Sequence, residues 1–522
     1  MRSFITSKKQ YKMQGGRSSG RKASRIGRQA IVCLFWLALW QAAAVVIAKP
    51  LILPGPWETL TTLVSLAGES TFYFNIFWTL LRCLLAMALS FSLGCLCAYC
   101  AYRLPALRSL LTLPVGFFKA VPVMAIVIYV ILVASADWVA VIVCFLMCFP
   151  IVYTNVLAGL DDAPEELLEL ASVYELSAGE KVRYIYAPAA RAQVEAAVRL
   201  IAGMSWKAVV AAEVLSIPRY SLGYEMLNAK YYLQTPVLFA YIAVIVILSL
   251  AAEKLISLLL DRSKPKGYRG SRLTLRRRGG AGHKNAAAGA GAPVKCAGAG
   301  QAYGISVSVD SVTKSFGEKA VLKQLELTLA AGRVSVLMGP SGGGKTTLAR
   351  LIAGLETPDS GRISFARRGQ PCARPQLAYL FQEDRLLPWL NVYDNMALAF
   401  LRRGGADFAG TAAKEGSAEQ MIKEMAARLE LQEVLFRLPE ELSGGMKHRV
   451  ALGRTFLALE AGAELAIFDE PFRGLDRELK KRLVSSLWSA CTSGRTVLLI
   501  THDEEDGGLG DVKLSWLTGQ KS

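Results

Sequence analysis

Nine consecutive residues, Gly339-Pro340-Ser341-Gly342-Gly343-Gly344-Lys345-Thr346-Thr347, place four glycines, a lysine and two threonines between a short apolar run and a helix-compatible one. The apolar run is Val334 to Met338; the second run starts at Leu348. Strand, glycine-rich loop and helix in that order make a cradle for phosphate. Backbone N–H groups turn inward, the helix N-terminus adds positive potential, and a lysine reaches the outer phosphates. Gly339, Ser341, Gly342, Gly343, Gly344, Lys345, Thr346 and Thr347 are therefore expected nucleotide contacts. The Thr346 hydroxyl is also an expected Mg²⁺ ligand.

Further downstream, Asp469-Glu470 follows the apolar run Leu465–Phe468, and Thr501-His502-Asp503 follows Thr496–Ile500. Gln382 follows Leu377–Phe381. In-line attack on a terminal phosphoryl group needs its charge neutralised and a water positioned. Asp469 and Gln382 suit the metal, Glu470 suits polarisation of the water, and His502 suits a γ-phosphate contact. Ser443-Gly444-Gly445, ahead of the helix-compatible stretch Lys447 to Leu457, forms a second anion site at a helix start.

These residues act together only if the runs that precede them lie side by side. Val334–Met338, Leu465–Phe468 and Thr496–Ile500 are short and apolar on both faces, as central strands of a parallel sheet are. Such sheets present ligand-binding residues at the carboxyl ends of their strands.

Residues 305–518 resemble the ATPase domain of ATP-binding cassette (ABC) proteins, whose signature reads LSGGQ. Here it reads Leu442-Ser443-Gly444-Gly445-Met446. The resemblance implies that Ser443 and Gly445 contact the γ-phosphate of ATP held by a second ATPase domain. It also implies that Phe316 stacks on adenine and that Arg473-Gly474-Leu475-Asp476 is the D-loop. Met446 replaces the signature glutamine, and Arg473-Gly474 replaces the usual Ser-Ala.

The other half of the chain is apolar. Runs near 30–48, 75–102, 110–133, 138–160, 196–217 and 237–260 are each long enough to cross a bilayer, giving six expected spans. Trp57 to Ala67 suits an amphipathic surface helix. The net charge of +18 is concentrated in two flanks: residues 1–28 hold nine Lys/Arg and residues 262–278 hold eight, with no acid in either. Both flanks abut membrane helices, so the positive-inside rule puts both termini and the ATPase in the cytoplasm of a multi-pass plasma (bacterial inner) membrane protein. No aromatic stacking motif accompanies the basic flanks, so no nucleic-acid partner is expected. Seven of the ten cysteines lie in apolar spans, and Cys296, Cys372 and Cys491 lie in the cytoplasmic half, where thiols stay reduced. Neither a disulfide framework nor a zinc site is expected. The division of the chain is a basic tail at 1–29, a permease domain at 30–262, a Gly/Ala-rich linker at 263–304 and an ATP-binding domain at 305–522.

Glu169-Leu170-Ala171, Ile185 and Pro188 resemble the EAA loop of type I ABC importers, with Glu175 at the family's glycine position and Ala187 before the proline. In that family the loop docks on the ATPase. The run Phe381-Gln382-Glu383-Asp384-Arg385-Leu386-Leu387-Pro388-Trp389, together with Leu53-Pro54-Gly55-Pro56 and Trp206 to Glu213, resembles the subfamily serving nitrate, taurine, aliphatic sulfonates and some pyrimidine precursors.

The expected fold is an α-helical transmembrane bundle of about six helices followed by an α/β P-loop domain of ABC type. The resemblance implies an ATP- and Mg²⁺-dependent importer that works in the lipid bilayer as a homodimer and takes its solute from an extracytoplasmic substrate-binding protein. A half-size exporter shares the order permease-then-ATPase, but its helices extend far into the cytoplasm and need about three hundred residues. A membrane-anchored regulatory ATPase is disfavoured by intramembrane charge, which usually marks a pathway. Lys207 in span five suits either an anionic solute or a neighbouring helix. Glu213, six residues on, is off its face.

Overall fold

The computed structural model describes residues 31–49, 51–263, 305–339, 342–401 and 415–515. The basic tail, the linker from 264 to 304, Ser341 and Cys296 lie outside them. Two compact units are present. One joins residues up to Asp161 with Ala190–Lys264; the other joins Asp162–Ala189 with the C-terminal region.

The first unit is helical. Among the described residues, three helices are long and apolar enough to cross a membrane: Ser70–Arg103, Ala136–Asp161 and Thr235–Arg262. The expected single span at 110–133 is instead two helices, Pro105–Ala120 and Val123–Val133, bent by 107° at their junction. The cause is Pro122. The residue before a proline is driven out of the helical region, and Val121 sits at φ −72°, ψ 131°. Taken as one broken span, the pair makes a fourth crossing. Ile31–Ile47 is a shorter apolar helix. The fifth expected span forms the Arg191–Ser216 helix, which carries Arg199, Lys207 and Glu213 and is less apolar than the three long apolar helices. The expected surface helix is Pro56–Leu66, with Trp57 exposed.

Small residues let these helices approach closely, as is usual where lipid supplies no hydrophobic drive between them. A Cβ on Gly94 would lie 2.7 Å from Val152 Cγ1, and one on Gly159 would lie 2.8 Å from Ala190 Cα. The Ser70–Arg103 helix buries Asn75, Thr79, Arg82, Ala86, Ser90 and Gly94 at helical spacing, so its polar residues face protein. Large apolar side chains such as Leu113, Leu132, Val133 and Leu250 point outward, as expected of a lipid-facing belt.

The second unit holds two sheets. An antiparallel one has the order β2-β1-β4-β5, with β1 at Ile305–Phe316, β2 at Lys319–Leu329, β4 at Ser360–Arg367 and β5 at Gln370–Cys372. The other is the five-stranded sheet β6-β7-β8-β3-β9, and its paired strands are parallel. Its strands are β3 Val334–Met338, β6 Leu377–Leu380, β7 Leu465–Asp469, β8 Thr496–Thr501 and β9 Val512–Ser515. Strands β6, β7 and β8 are buried at every position, because helices cover both faces of a parallel sheet. The apolar core of this unit also takes in Leu167, Leu170, Ala171, Tyr174 and Ile185 from the 162–189 segment.

Candidate functional site

The order β6-β7-β8-β3 brings four carboxyl ends together: Gln382 beyond β6, Asp469-Glu470 at β7, Thr501-His502 at β8, and Gly339 at the start of the glycine-rich loop. The helix after that loop starts at Lys345, three residues before the apolar run that announced it. Gly344 caps it at φ +89°, and a Cβ there would lie 2.9 Å from Val321 Cγ1. Glycine is required at that position on both counts. Gly342 is also left-handed, at φ +80°.

Within the loop, Lys345 Nζ donates to Gly339 O at 2.8 Å, which folds the ammonium over the cradle. Thr346 Oγ1 donates to Asp469 Oδ2 at 3.0 Å. Thr347 is half-buried one residue further along the helix. Burial pushes the Asp469 carboxyl up to about 6; the Thr346 hydrogen bond opposes the shift, Glu470 adds to it and Lys345 opposes it. A hydroxyl beside a desolvated carboxylate is an oxygen donor set suited to a small hard cation, so the residues fit Mg²⁺. Gln382 is exposed two residues beyond β6, the strand next to β7, and its neighbour Phe381 stacks on Tyr379 at 4.1 Å.

Glu470 stands at φ +53°, which a non-glycine residue holds only under constraint from its surroundings. Its amide donates to Ile500 O at 2.9 Å, and its Oε1 lies 3.1 Å from His502 Nδ1. The His502 side chain is otherwise exposed. Glutamate and histidine from adjacent strand ends thus form one hydrogen-bonded pair at the mouth of the site.

Ser443 caps the Gly444–Glu460 helix, its Oγ accepting from the Met446 amide at 3.4 Å. Gly444 and Gly445 follow, and a Cβ on Gly445 would come within 3.4 Å of Gly474 O. Among the described residues, no hydrogen bond joins Ser443, Gly444 or Gly445 to the glycine-rich loop. Phe316, at the end of β1, is half-exposed with the Lys314 ammonium 5.4 Å over its ring. Asp476 caps the Arg477–Leu483 helix through the Leu479 amide.

Several residues that bind these pieces together escaped sequence reasoning. His448 bridges Asp384 Oδ1 at 2.9 Å and Pro471 O at 2.8 Å, linking the signature helix to the segments after Gln382 and Glu470. Arg454 is fully buried and donates to Asp384 O and Arg385 O. Glu169 accepts from Arg350 Nη1 at 2.9 Å and Nη2 at 2.6 Å, and from Arg385 Nη1. Burial opposes ionisation of Glu169, but the hydrogen bonds from Arg350 and Arg385 outweigh it and hold the carboxyl below its ordinary range. Trp389 Nε1 donates to Tyr184 O at 2.7 Å. The resemblance of the Glu169 loop to one that docks on the ATPase announced such contacts in general, but nothing in the sequence pairs an arginine with a given carboxylate.

In the helical unit, Glu213 is fully buried and accepts from Thr79 Oγ1, Arg82 Nη1 and the Gly223 amide. Its partner is therefore a cation on another helix. Lys207 is exposed.

The fold and this arrangement define a P-loop nucleotide-binding domain joined to a helical membrane domain. Residues 322–473 match the family described as ABC transporter, and residues 90–266 match the binding-protein-dependent transport system inner membrane component. Taurine import ATP-binding proteins of Pseudomonas aeruginosa and Chromobacterium violaceum are 35% and 38% identical over 207 and 208 residues, 38% of this chain and 74% of each relative. The sulfate/thiosulfate import ATP-binding protein of Caulobacter vibrioides is 35% identical over 208 residues, and the chain spans 59% of its length. The chain belongs to the ABC transporter family, and it carries the family's permease component and its ATPase domain in one polypeptide.

Proposed function

We propose that this chain is one half of an ATP-driven importer of the type I class. Two copies assemble so that ATP lies between the glycine-rich loop of one and the partner's Ser443. The carrying observation is the Glu169 cluster: a loop whose sequence lies inside the permease domain is locked by two arginines to the same compact unit as the ATPase sheets. A change at the nucleotide reaches that loop directly, because Arg350 lies on the helix that starts at Lys345.

In this reading Gly339, Ser341, Gly342, Gly343 and Gly344 cradle the phosphates, with Lys345 and Thr347 on the outer oxygens and Phe316 against adenine. Thr346, Asp469 and Gln382 hold Mg²⁺, which when bound neutralises phosphate charge. Glu470 accepts a proton from the attacking water as its oxygen bonds the γ-phosphorus and the bond to the ADP oxygen breaks. His502 holds the Glu470 carboxylate and faces the γ-phosphate. The partner's Ser443, Gly444 and Gly445 supply the opposing anion site. The ATPase and both termini face the cytoplasm. The solute is of the nitrate, sulfonate, taurine or pyrimidine-precursor class and is delivered by an extracytoplasmic binding protein, a reading supported by the taurine import ATP-binding proteins among the relatives.

Glu470→Gln tests the chemistry. ATP binding should persist while hydrolysis falls by about 10²–10⁴-fold, since only the base is removed. Turnover like the wild type would show the base to be another group. Mixing Lys345→Ala with Ser443→Arg chains should restore one composite site; full activity from a proven monomer would refute the dimer. In liposomes, turnover should rise when loaded binding protein docks. Net export without any binding protein would refute import.

A further inference from the structure

A cavity of about 280 Å³ opens in the helical unit between the Ser70–Arg103 helix, the start of the Ala136–Asp161 helix and the loop after Ser216. Trp78, Trp138 and Tyr220 line it, with Arg82, Asp137 and Arg219 as its charged groups. Nothing in the ATPase reading uses it, and its volume lies just below the usual range for small-molecule sites.

The charges decide what it would take. Arg82 is already satisfied: Nη1 donates to Glu213 at 2.9 Å and to Tyr220 O at 2.7 Å, so its charge is spent on a fully buried carboxylate. Asp137 receives one hydrogen bond from Arg82 at 3.2 Å, and its side chain stays 68% exposed. Arg219 lies over the Tyr220 ring at 5.4 Å, and among the described residues no carboxylate lies within ion-pair distance of it. One accessible carboxylate and one accessible guanidinium remain on a wall otherwise aromatic and aliphatic. A simple anion would meet Asp137, and a simple cation would meet Arg219. The Trp138 indole adds attraction for an ammonium group, the Trp78 ring already having the Arg82 guanidinium over it at 6.0 Å.

We infer that this cavity is a binding site for a small zwitterion, with its ammonium end at Asp137 among the tryptophans and its acid end at Arg219. Two sources share that chemistry: a free amino acid-like or aminosulfonate solute, and the headgroup of phosphatidylethanolamine. The inference rests on the import reading only for the natural ligand. Binding is measured without ATP, so its failure leaves the ATPase tests untouched.

The experiment uses the full chain in phosphatidylglycerol nanodiscs and radiolabelled 2-aminoethanesulfonate. Saturable binding is expected. Ethanesulfonate, which lacks the ammonium, and ethylamine, which lacks the acid, should each compete at least about tenfold more weakly than unlabelled probe. Asp137→Asn and Arg219→Ala should each weaken binding about tenfold or more. In Asp137→Asn, ethanesulfonate should gain on the zwitterion as a competitor, a change of selectivity that misfolding does not produce. In phosphatidylethanolamine nanodiscs, loss of probe binding identifies the headgroup as an occupant, and retained binding identifies a free solute. Absence of saturable binding in phosphatidylglycerol, or unchanged affinity in both variants, overturns the inference.

Discussion

Replacing Glu169 by glutamine keeps the side chain's shape and one acceptor but removes the charge that two guanidiniums share. Side-chain exposures of 16% for Glu169, 25% for Arg350 and 10% for Arg385 place the cluster much nearer a buried than a surface ion pair. Surface pairs contribute about 0–1 kcal/mol, and breaking buried ones costs about 3–5 kcal/mol. Arg350 keeps Glu356 at 3.1 Å, which softens its loss, whereas Arg385 has no other carboxylate within ion-pair distance among the described residues. A cost of roughly 2–3 kcal/mol follows, or about 30- to 150-fold in the equilibrium for opening the 162–189 segment. Hydrogen exchange reads that equilibrium locally. Amides of the Glu165–Val173 helix should exchange about 30- to 150-fold faster in Glu169→Gln, while those of β7 stay unchanged. Acceleration below about threefold, or an equal acceleration in β7, would refute the assignment of the cluster as a local clamp.

The same cluster has a definite pH dependence. Its carboxyl pKa is depressed in the folded state, so its contribution is fully present above the ordinary carboxylate range and is lost as pH falls through the folded-state value. Protection of the Glu165–Val173 amides, corrected for intrinsic exchange, should therefore be flat around neutrality and decline as acidification passes from the ordinary carboxylate range down through the folded-state value. Glu169→Gln should abolish the decline.

Three other outcomes are expected. Gly344→Ala should abolish nucleotide binding, because a Cβ would meet Val321 Cγ1 at 2.9 Å and the backbone is left-handed; equilibrium binding of ATP checks it. Glu175→Gly should be neutral or stabilising by about 1 kcal/mol, since an exposed non-glycine at φ +51° carries strain that glycine does not; the thermal midpoint of the full chain should not fall. Glu213→Gln should lower the thermal midpoint more than Asp137→Asn, because Arg82 is left beside a neutral, fully buried partner in the first case and keeps Glu213 in the second.

Much of the ATPase half is legible in the sequence because the central strands of its parallel sheet are short doubly apolar runs ending in polar residues. Val334–Met338, Leu465–Phe468 and Thr496–Ile500 reappear as β3, β7 and β8 with at most one residue added. Lys345 starts its helix earlier than hydropathy indicates, since the first turn of a phosphate-loop helix is polar by function. The antiparallel sheet went unread: β2 alternates irregularly, with bulges at its pairing to β1, so period-two patterning is blurred. In the membrane half, the break at Pro122 was hidden inside a continuous apolar run, because hydropathy ignores backbone geometry. The Arg82–Glu213 pair was hidden because its partners stand 131 residues apart, whereas sequence spacing reports only neighbours on one helix.

Backbone strain is the other quantity the sequence conceals. Ten of the described non-glycine residues hold positive φ, and three of them, Glu175, Arg385 and Glu470 at 51°, 44° and 53°, lie near the nucleotide site and the 162–189 segment. Left-handed residues without glycine cost about 1–2 kcal/mol each and persist only where packing over-determines them. All three lie along one connected path. Glu470 is hydrogen-bonded to His502 at the nucleotide site; Pro471, the next residue, accepts from His448; His448 holds Asp384; and Arg385 grips Glu169, six residues before Glu175. Glu175, which departs from the glycine its resemblance calls for, still holds the left-handed backbone a glycine would adopt, with Tyr174 and Leu176 packed into the core on either side of it.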